Sequence, residues 1–276
     1  MNKLHLIHFS PSGTTRKVVM NIAGGIQKHY KEIYEYDMTD PKVRKQKLKF
    51  DENDFVILGI MSAIKLFYLA EEIIENLHGK NTAFVGVVLY GNGYYGNSLK
   101  KMKELMEKQS FKMIAAGAFI GQHSCSQNIA MGRPDNSDLL KIKNFGSYIL
   151  NQKIIQEDYK LSDKIKIDWS KYSFLAKFKC LIVLMLPGVS VKIPKALNLK
   201  KILNKCNNCR VCERICPVEA INIQKKQIDL SKCIGCFGCI NRCPTQAMQA
   251  DSKALNRSKR SLLQYNKHRR EPEIFI

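Results

Sequence analysis

The chain has 276 residues, 45% of them hydrophobic, with a formal net charge of +21. That length and apolar content suit one large domain or two modest ones with packed cores, and they exclude wholesale disorder. The opening "MNKLHLIHFS" carries no apolar stretch leading to a small-residue cleavage site, so no secretory signal is expected. The longest uncharged apolar run, residues 180–191, is broken by Pro187 and falls short of the roughly 20 residues a spanning helix needs. A cytoplasmic protein is expected, in which the ten cysteines serve as thiols, metal ligands or redox groups rather than disulfides. The charge is uneven. Residues 1–150 hold 20 Lys/Arg against 14 Asp/Glu, and residues 151–276 hold 25 against 10, which marks a change of character near residue 150.

In chain order, "LHLIHF" reads as a strand, and "TTRKVVMNIAGGIQKHY" as a helix with Val18 or Val19, Ile22 and Ile26 on one face. "EIYEYD" alternates as a short strand, and "DFVILGI" is a continuous apolar run suited to a strand buried on both faces. "LAEEIIENLHG" predicts a helix ending at Gly79, and "TAFVGVVLYG" another buried strand. "NSLKKMKELMEKQS" predicts a helix capped by Asn97 or Ser98, "MIAAGAFIG" a fifth strand, and "NSDLLKIKNFGSYILNQ" the last helix. Five strands alternating with helices imply a parallel sheet with helices on both faces, whose ligands sit at the carboxyl ends of the strands.

Ser10, Ser12, Gly13, Thr14 and Thr15 fall at the first such end, where a helix begins. Unpaired backbone N–H groups and hydroxyls there suit a phosphate, and an ordinary cap and turn is the competing reading. The loop has neither a GKS/T ending nor G-x-G-x-x-G, so a nucleoside-triphosphatase or dinucleotide fold is not supported, and a flavin mononucleotide (FMN) phosphate fits better.

The second half carries "CNNCRVCERICP" and "CIGCFGCINRCP", two copies of C-x₂-C-x₂-C-x₃-C-P that place a cysteine at 206, 209, 212 and 216, then at 233, 236, 239 and 243. In this pattern the first three thiolates of a copy hold one iron–sulfur cubane and the fourth ligates the other. The expected sets are therefore Cys206, Cys209, Cys212 and Cys243 for one [4Fe–4S] cluster, and Cys233, Cys236, Cys239 and Cys216 for the second. Zinc is the rival, but its Cys₄ sites use spaced two-plus-two pairs rather than uninterrupted runs ending in proline.

Residues 205–250 thus resemble a bacterial-type two-cluster ferredoxin, and residues 1–150 resemble a flavodoxin-like domain. Together they resemble the flavodoxin–ferredoxin fusion family found mainly in anaerobic bacteria. "SPSGTT", the "YGNGYYGNSL" after strand four and "AFIGQHSCSQNIAMGRPDNSDL" after strand five carry the likeness. The resemblance implies a doubly wound five-stranded parallel sheet of order 2-1-3-4-5 and a C-terminal α+β ferredoxin domain. It also implies FMN at the strand ends, with Tyr90, Gly91, Asn92, Gly93 and Tyr94 around the flavin ring, Ser62 as a further candidate and Tyr94 as the stacking residue. Where the family has "PVYxGRxP", this chain has "GIMSAIKLFYLAEE", with no aromatic before Phe67.

The expected organisation is a flavodoxin-like domain at 1–150, a packing segment at 151–204, the ferredoxin domain at 205–250 and a basic tail at 251–276. The expected function is an electron carrier passing electrons between one- and two-electron redox partners, with docking of acidic partner proteins as one use of the basic tail. The alternatives are an FMN/iron–sulfur oxidoreductase acting on a small substrate, and a ferredoxin on a flavin-free scaffold. No catalytic acid–base pair or nucleophile is visible. His123 and Cys125 after strand five read as a structural histidine and a free thiol, with a role near the flavin as the alternative, and Cys180 reads as core. No transmembrane segment and no specific nucleic-acid partner are expected.

Overall fold

The computed structural model describes residues 3–63, 65–151, 199–201, 203–225, 227–250, 256 and 268–276. Most of the expected packing segment, including Cys180, and residues 257–267 of the tail lie outside the described residues. The main sheet is built from β1 (Lys3–Phe9), β2 (Glu32–Asp37), β3 (Phe55–Ala63), β4 (Thr82–Tyr90) and β5 (Phe111–Ile120), with β6 (Glu273–Phe275) at one edge. The helices are α1 (Thr14–Ile26), α2 (Leu69–Glu75), α3 (Ser98–Lys108) and α4 (Asn136–Asn151).

The strands lie in the order β6-β5-β4-β3-β1-β2, and β1 to β5 are all mutually parallel. Leaving β6 aside, this is the 2-1-3-4-5 order of the flavodoxin-like fold. Alternation along each strand divides the core. Leu4, Leu6, Ile57, Val85 and Val87 point to one face and pack under α1 and α4 through Val18, Ile22, Ile142 and Phe145. Ile7, Phe9, Val56, Leu58, Phe84 and Val88 point to the other, against α2 and α3 through Ala70, Ile73, Leu99 and Met102. On the first face α1 and α4 approach so closely that a Cβ on Gly146 would overlap the Ile22 carbonyl oxygen.

Three features depart from the sequence reading. The helix expected to run to Gly79 stops at Glu75, because Leu77 and His78 leave it to pair in parallel with Leu48 and Lys49. The atypical stretch after β3 turns back as a short antiparallel hairpin, Ser62 opposite Leu66 and Ala63 opposite Lys65. The sheet is also larger than five strands: Glu273–Phe275, expected to belong to a basic tail, pairs antiparallel with Ala116–Ala118 of β5.

The cysteine-rich half is built on two similar turns. A one-turn helix at Val211–Arg214 is matched by one at Gly238–Asn241, each entered through a left-handed residue, Arg210 (φ 58°) and Phe237 (φ 57°). Short antiparallel ladders join Ile221–Asn222 to Gln227–Ile228, and Leu199–Lys201 to Met248–Ala250. Among the described residues no helix is long and apolar enough to cross a membrane.

Candidate functional site

The eight motif cysteines line two cavities. One is lined by Cys216, Cys233, Cys236 and Cys239 with Pro217, Val218, Ile234 and Phe237. The other is lined by Cys206, Cys209, Cys212 and Cys243 with Ile223, Pro244 and Met248. Cys216 and Cys243 have thus each crossed to the set of the opposite repeat. Among the described residues no group of three or more His, Cys, Asp or Glu is close enough to hold a single metal ion, and the thiols stand around cavity walls instead.

The crossing has the same local cause in both copies. After each Cys-Pro the chain takes a left-handed turn at Glu219 (φ 50°) or Gln246 (φ 54°). The amide of Ala220 then donates to Cys216 Sγ at 3.2 Å, and that of Ala247 to Cys243 Sγ at 3.2 Å. Such N–H···S bonds stabilise a thiolate and are one of the levers on cluster potential. Burial pushes the Cys212 and Cys233 thiols up, and that of Cys236 up to about 12. Burial likewise raises Cys239. Thiols so buried keep their protons without a metal, and loading iron displaces them. Cys243 differs: burial raises it, but hydrogen bonds from Thr245, Met248 and Ala247 outweigh that and leave it below the usual thiol range.

The cavity lined by Cys216, Cys233, Cys236 and Cys239 is seated on the carboxyl edge of the sheet. A Cβ on Gly238 would stand 2.8 Å from the Pro11 carbonyl oxygen, so only glycine allows that approach. Asn241 donates to the Ser124 carbonyl at 3.0 Å and accepts from Gln127 at 3.0 Å. Ile234 joins the core shared by Phe9 and Tyr90, with Val218 and Cys236 packed against it.

That edge also holds the flavin candidates. Gly13 (φ +86°) precedes α1, with open space where a Cβ would sit. Ser10 is buried and already acts as a cap: its Oγ accepts from the Arg16 amide at 2.9 Å, while its own amide donates to Thr39 Oγ1 at 2.8 Å. Ser12 and Thr14, half-buried, face each other at 3.3 Å, and Thr15 is buried. The first amides of α1 lie beside Gly13 and these hydroxyls, so the loop fits a phosphate.

The loop after β4, residues 91–95, is engaged from one side by the segment 268–273. Asn92 is 3% exposed. Its Nδ2 donates to the His268 carbonyl at 2.8 Å, and its Oδ1 accepts from the Arg270 amide at 3.2 Å. The Arg270 guanidinium lies 4.5 Å from the centre of the Tyr94 ring, and the Tyr95 hydroxyl donates to Glu273 at 2.8 Å. Tyr90 is buried and packs on Tyr95, and the His123 ring packs closely on Gly91. Ser62 is buried and bonded to Ser98 Oγ at 2.7 Å and to the Tyr95 carbonyl. His123 Nδ1 lies 3.3 Å from the Cys125 thiol, and burial pushes its pKa down. Sequence reasoning did not foresee the 268–273 strap, nor Arg133, whose side chain is held by Asp138 and donates to the Arg270 carbonyl at 2.6 Å.

Residues 198–244 match the 4Fe-4S dicluster domain family. That match covers all eight motif cysteines. No curated protein matches the chain. Among solved structures, a flavodoxin from the domain Archaea is similar at 16% identity over 54% of this chain and 97% of its own, with a TM-score of 0.37. The oxidised flavodoxin 2 of Bacillus cereus is similar at 15% identity, over 54% and 99%, with a TM-score of 0.40. The two-electron-reduced flavodoxin of Megasphaera elsdenii is similar at 14% identity, over 54% and 98%, with a TM-score of 0.35.

Proposed function

We propose that the chain is an electron-transfer protein that carries two [4Fe–4S] clusters and FMN and passes electrons between one- and two-electron redox partners. The observation that carries this reading is the interleaving of the two cysteine runs around two cavities, with Cys216 and Cys243 exchanged. In this reading Cys206, Cys209, Cys212 and Cys243 hold one cluster, and Cys233, Cys236, Cys239 and Cys216 the other. Ser12, Gly13, Thr14 and Thr15 hold the FMN phosphate, with Ser10 bracing the loop, and residues 90–94 border the ring. When bound, the clusters supply one-electron steps and the flavin joins them to two-electron chemistry. The protein's own residues hold the groups close, shield them from water and tune them through N–H···S bonds and charge.

The partners of such a carrier are redox proteins. The excess of Lys and Arg beyond residue 150 would steer acidic ones to the cluster half. One observation favours a second reading, a dicluster carrier on a flavin-free scaffold: Asn92 and one face of Tyr94 are already taken by residues 268–270. The test is anaerobic purification, followed by an absorbance spectrum and assays of iron, acid-labile sulfide and released flavin on the same sample. About eight irons per chain with one FMN support the first reading. Eight irons and no FMN after incubation with the free flavin support the second. Absence of iron and sulfide after anaerobic reconstitution refutes both.

A further inference from the structure

Arg44 is a buried cation that belongs to neither cysteine set. In the sequence it is one of several positive charges in "PKVRKQK", and Lys42, Lys45 and Lys47 around it are exposed. Arg44 itself is only 4% exposed, at the end of the single helical turn Pro41–Arg44. A buried charge is costly unless all its donors find partners. Nη1 donates to the Met38 carbonyl at 2.9 Å and Nε to Glu72 of α2 at 3.0 Å. Nη2 crosses 173 residues of sequence and donates to the Pro217 carbonyl at 2.8 Å. Pro217 directly follows Cys216, the one thiol that the first repeat contributes to the cavity lined by Cys233, Cys236 and Cys239. Tyr68, at the same corner, lies within electrostatic reach of Cys233, Cys236, Arg44 and Glu72.

We infer that Arg44 is a positioning residue of the second four-cysteine site, fixing the Cys216–Pro217 turn against the sheet domain and keeping positive charge beside the cavity. The inference rests on the cluster reading above. A guanidinium bound to a backbone carbonyl on one side and to a carboxylate on the other is rigid, so its field at the cavity is fixed. Reduction adds one negative charge to the group held there, and a fixed neighbouring cation favours that state.

The test is an anaerobic potentiometric titration of the full-length protein, with dithionite as reductant and electron paramagnetic resonance as readout, alongside iron analysis. Arg44→Met should lower one of the two midpoints and leave the other in place. The expected size is on the order of a tenfold change in the oxidised-to-reduced ratio, about 59 mV for one electron. Arg44→Lys, which keeps the charge, should shift it less. Glu72→Gln, which removes the neighbouring negative charge at a partly exposed side chain, should move the same midpoint upward. If Arg44→Met does not fold, the upward shift in Glu72→Gln carries the test. Unchanged midpoints in a fully iron-loaded Arg44→Met or Glu72→Gln protein, or equal shifts of both clusters, would overturn the inference. A wild-type protein that takes up no iron would instead overturn the cluster reading beneath it, and that result is seen before any variant is compared.

Discussion

The exchange of Cys216 and Cys243 between the two cavities can be tested by counting iron in paired cysteine variants. In Cys216→Ala/Cys233→Ala both lost thiols line the same cavity. The other cavity keeps Cys206, Cys209, Cys212 and Cys243, so about four irons and one intact [4Fe–4S] signal should survive. In Cys206→Ala/Cys216→Ala one thiol is lost from each cavity. Neither then keeps four ligands, so no intact [4Fe–4S] signal should remain, and the iron should fall towards zero or to three-iron remnants. If each run held its own cluster, the outcomes would be reversed, because residues 206 and 216 would then share a site. Anaerobic reconstitution, iron and sulfide analysis and low-temperature electron paramagnetic resonance of the reduced proteins read the difference. An intact signal in Cys206→Ala/Cys216→Ala, together with its loss in Cys216→Ala/Cys233→Ala, would refute the interleaved arrangement.

Two further perturbations test the scaffold that holds the site. A methyl group at Gly146 must push α4 off α1, an overpacking cost of about 1–3 kcal/mol that outweighs the helix-propensity gain of about 1 kcal/mol, so Gly146→Ala should lower the melting temperature by several degrees. Gly24→Ala, with nothing within 4 Å of the new carbon, should raise it; equal effects of the two variants in thermal unfolding would sink the packing argument. Glu35 gives an acid dependence. Its hydrogen bond from Arg16 holds its pKa well below the ordinary 4.5, at about 2, with His8 Nε2 a further partner at 2.8 Å. A carboxylate with a depressed folded-state pKa contributes stability that is present above about 4.5 and drains away as the pH falls towards 2. Melting temperatures of wild type and Glu35→Gln should therefore differ most near neutral pH, draw together below about pH 4.5 and converge towards pH 2, whereas a constant gap over that range would contradict the assignment.

The parts legible in the sequence are those that local pattern dictates. The apolar runs of β1, β3, β4 and β5 and the helical spacing of Val18, Ile22 and Ile26 identify their elements without tertiary information, because burial on both sheet faces leaves no other pattern. The cysteine spacing likewise names its eight residues. What escaped depends on partners distant in sequence. Nothing local ends α2 at Glu75; the competing ladder between Leu77 and Leu48 does so. Nothing in "PKVRKQK" distinguishes Arg44 from the exposed lysines around it, since its burial comes from a carbonyl 173 residues away. Asn92 and Tyr94 read as ring-binding residues because "YGNGYYGNSL" resembles the ring loop of the flavodoxin–ferredoxin fusion family, and their strap at 268–270 gave no signal in a basic, low-pattern tail.

The pairing of β6 with β5 makes the sheet discontinuous in synthesis as well as in sequence. The outer edge of β5 is complete once Ile120 has been made, but the strand that covers part of it begins at Glu273, so roughly 150 residues must be added first. At about 5–20 residues per second that interval is on the order of ten to thirty seconds. Throughout it, β5 presents unpaired backbone groups flanked by apolar side chains, a template for unwanted strand addition. The cysteine-rich half is therefore an insertion that the sheet must wait for. Every motif cysteine is synthesised inside that interval, so the cysteine-rich half has emerged before the edge of β5 is covered.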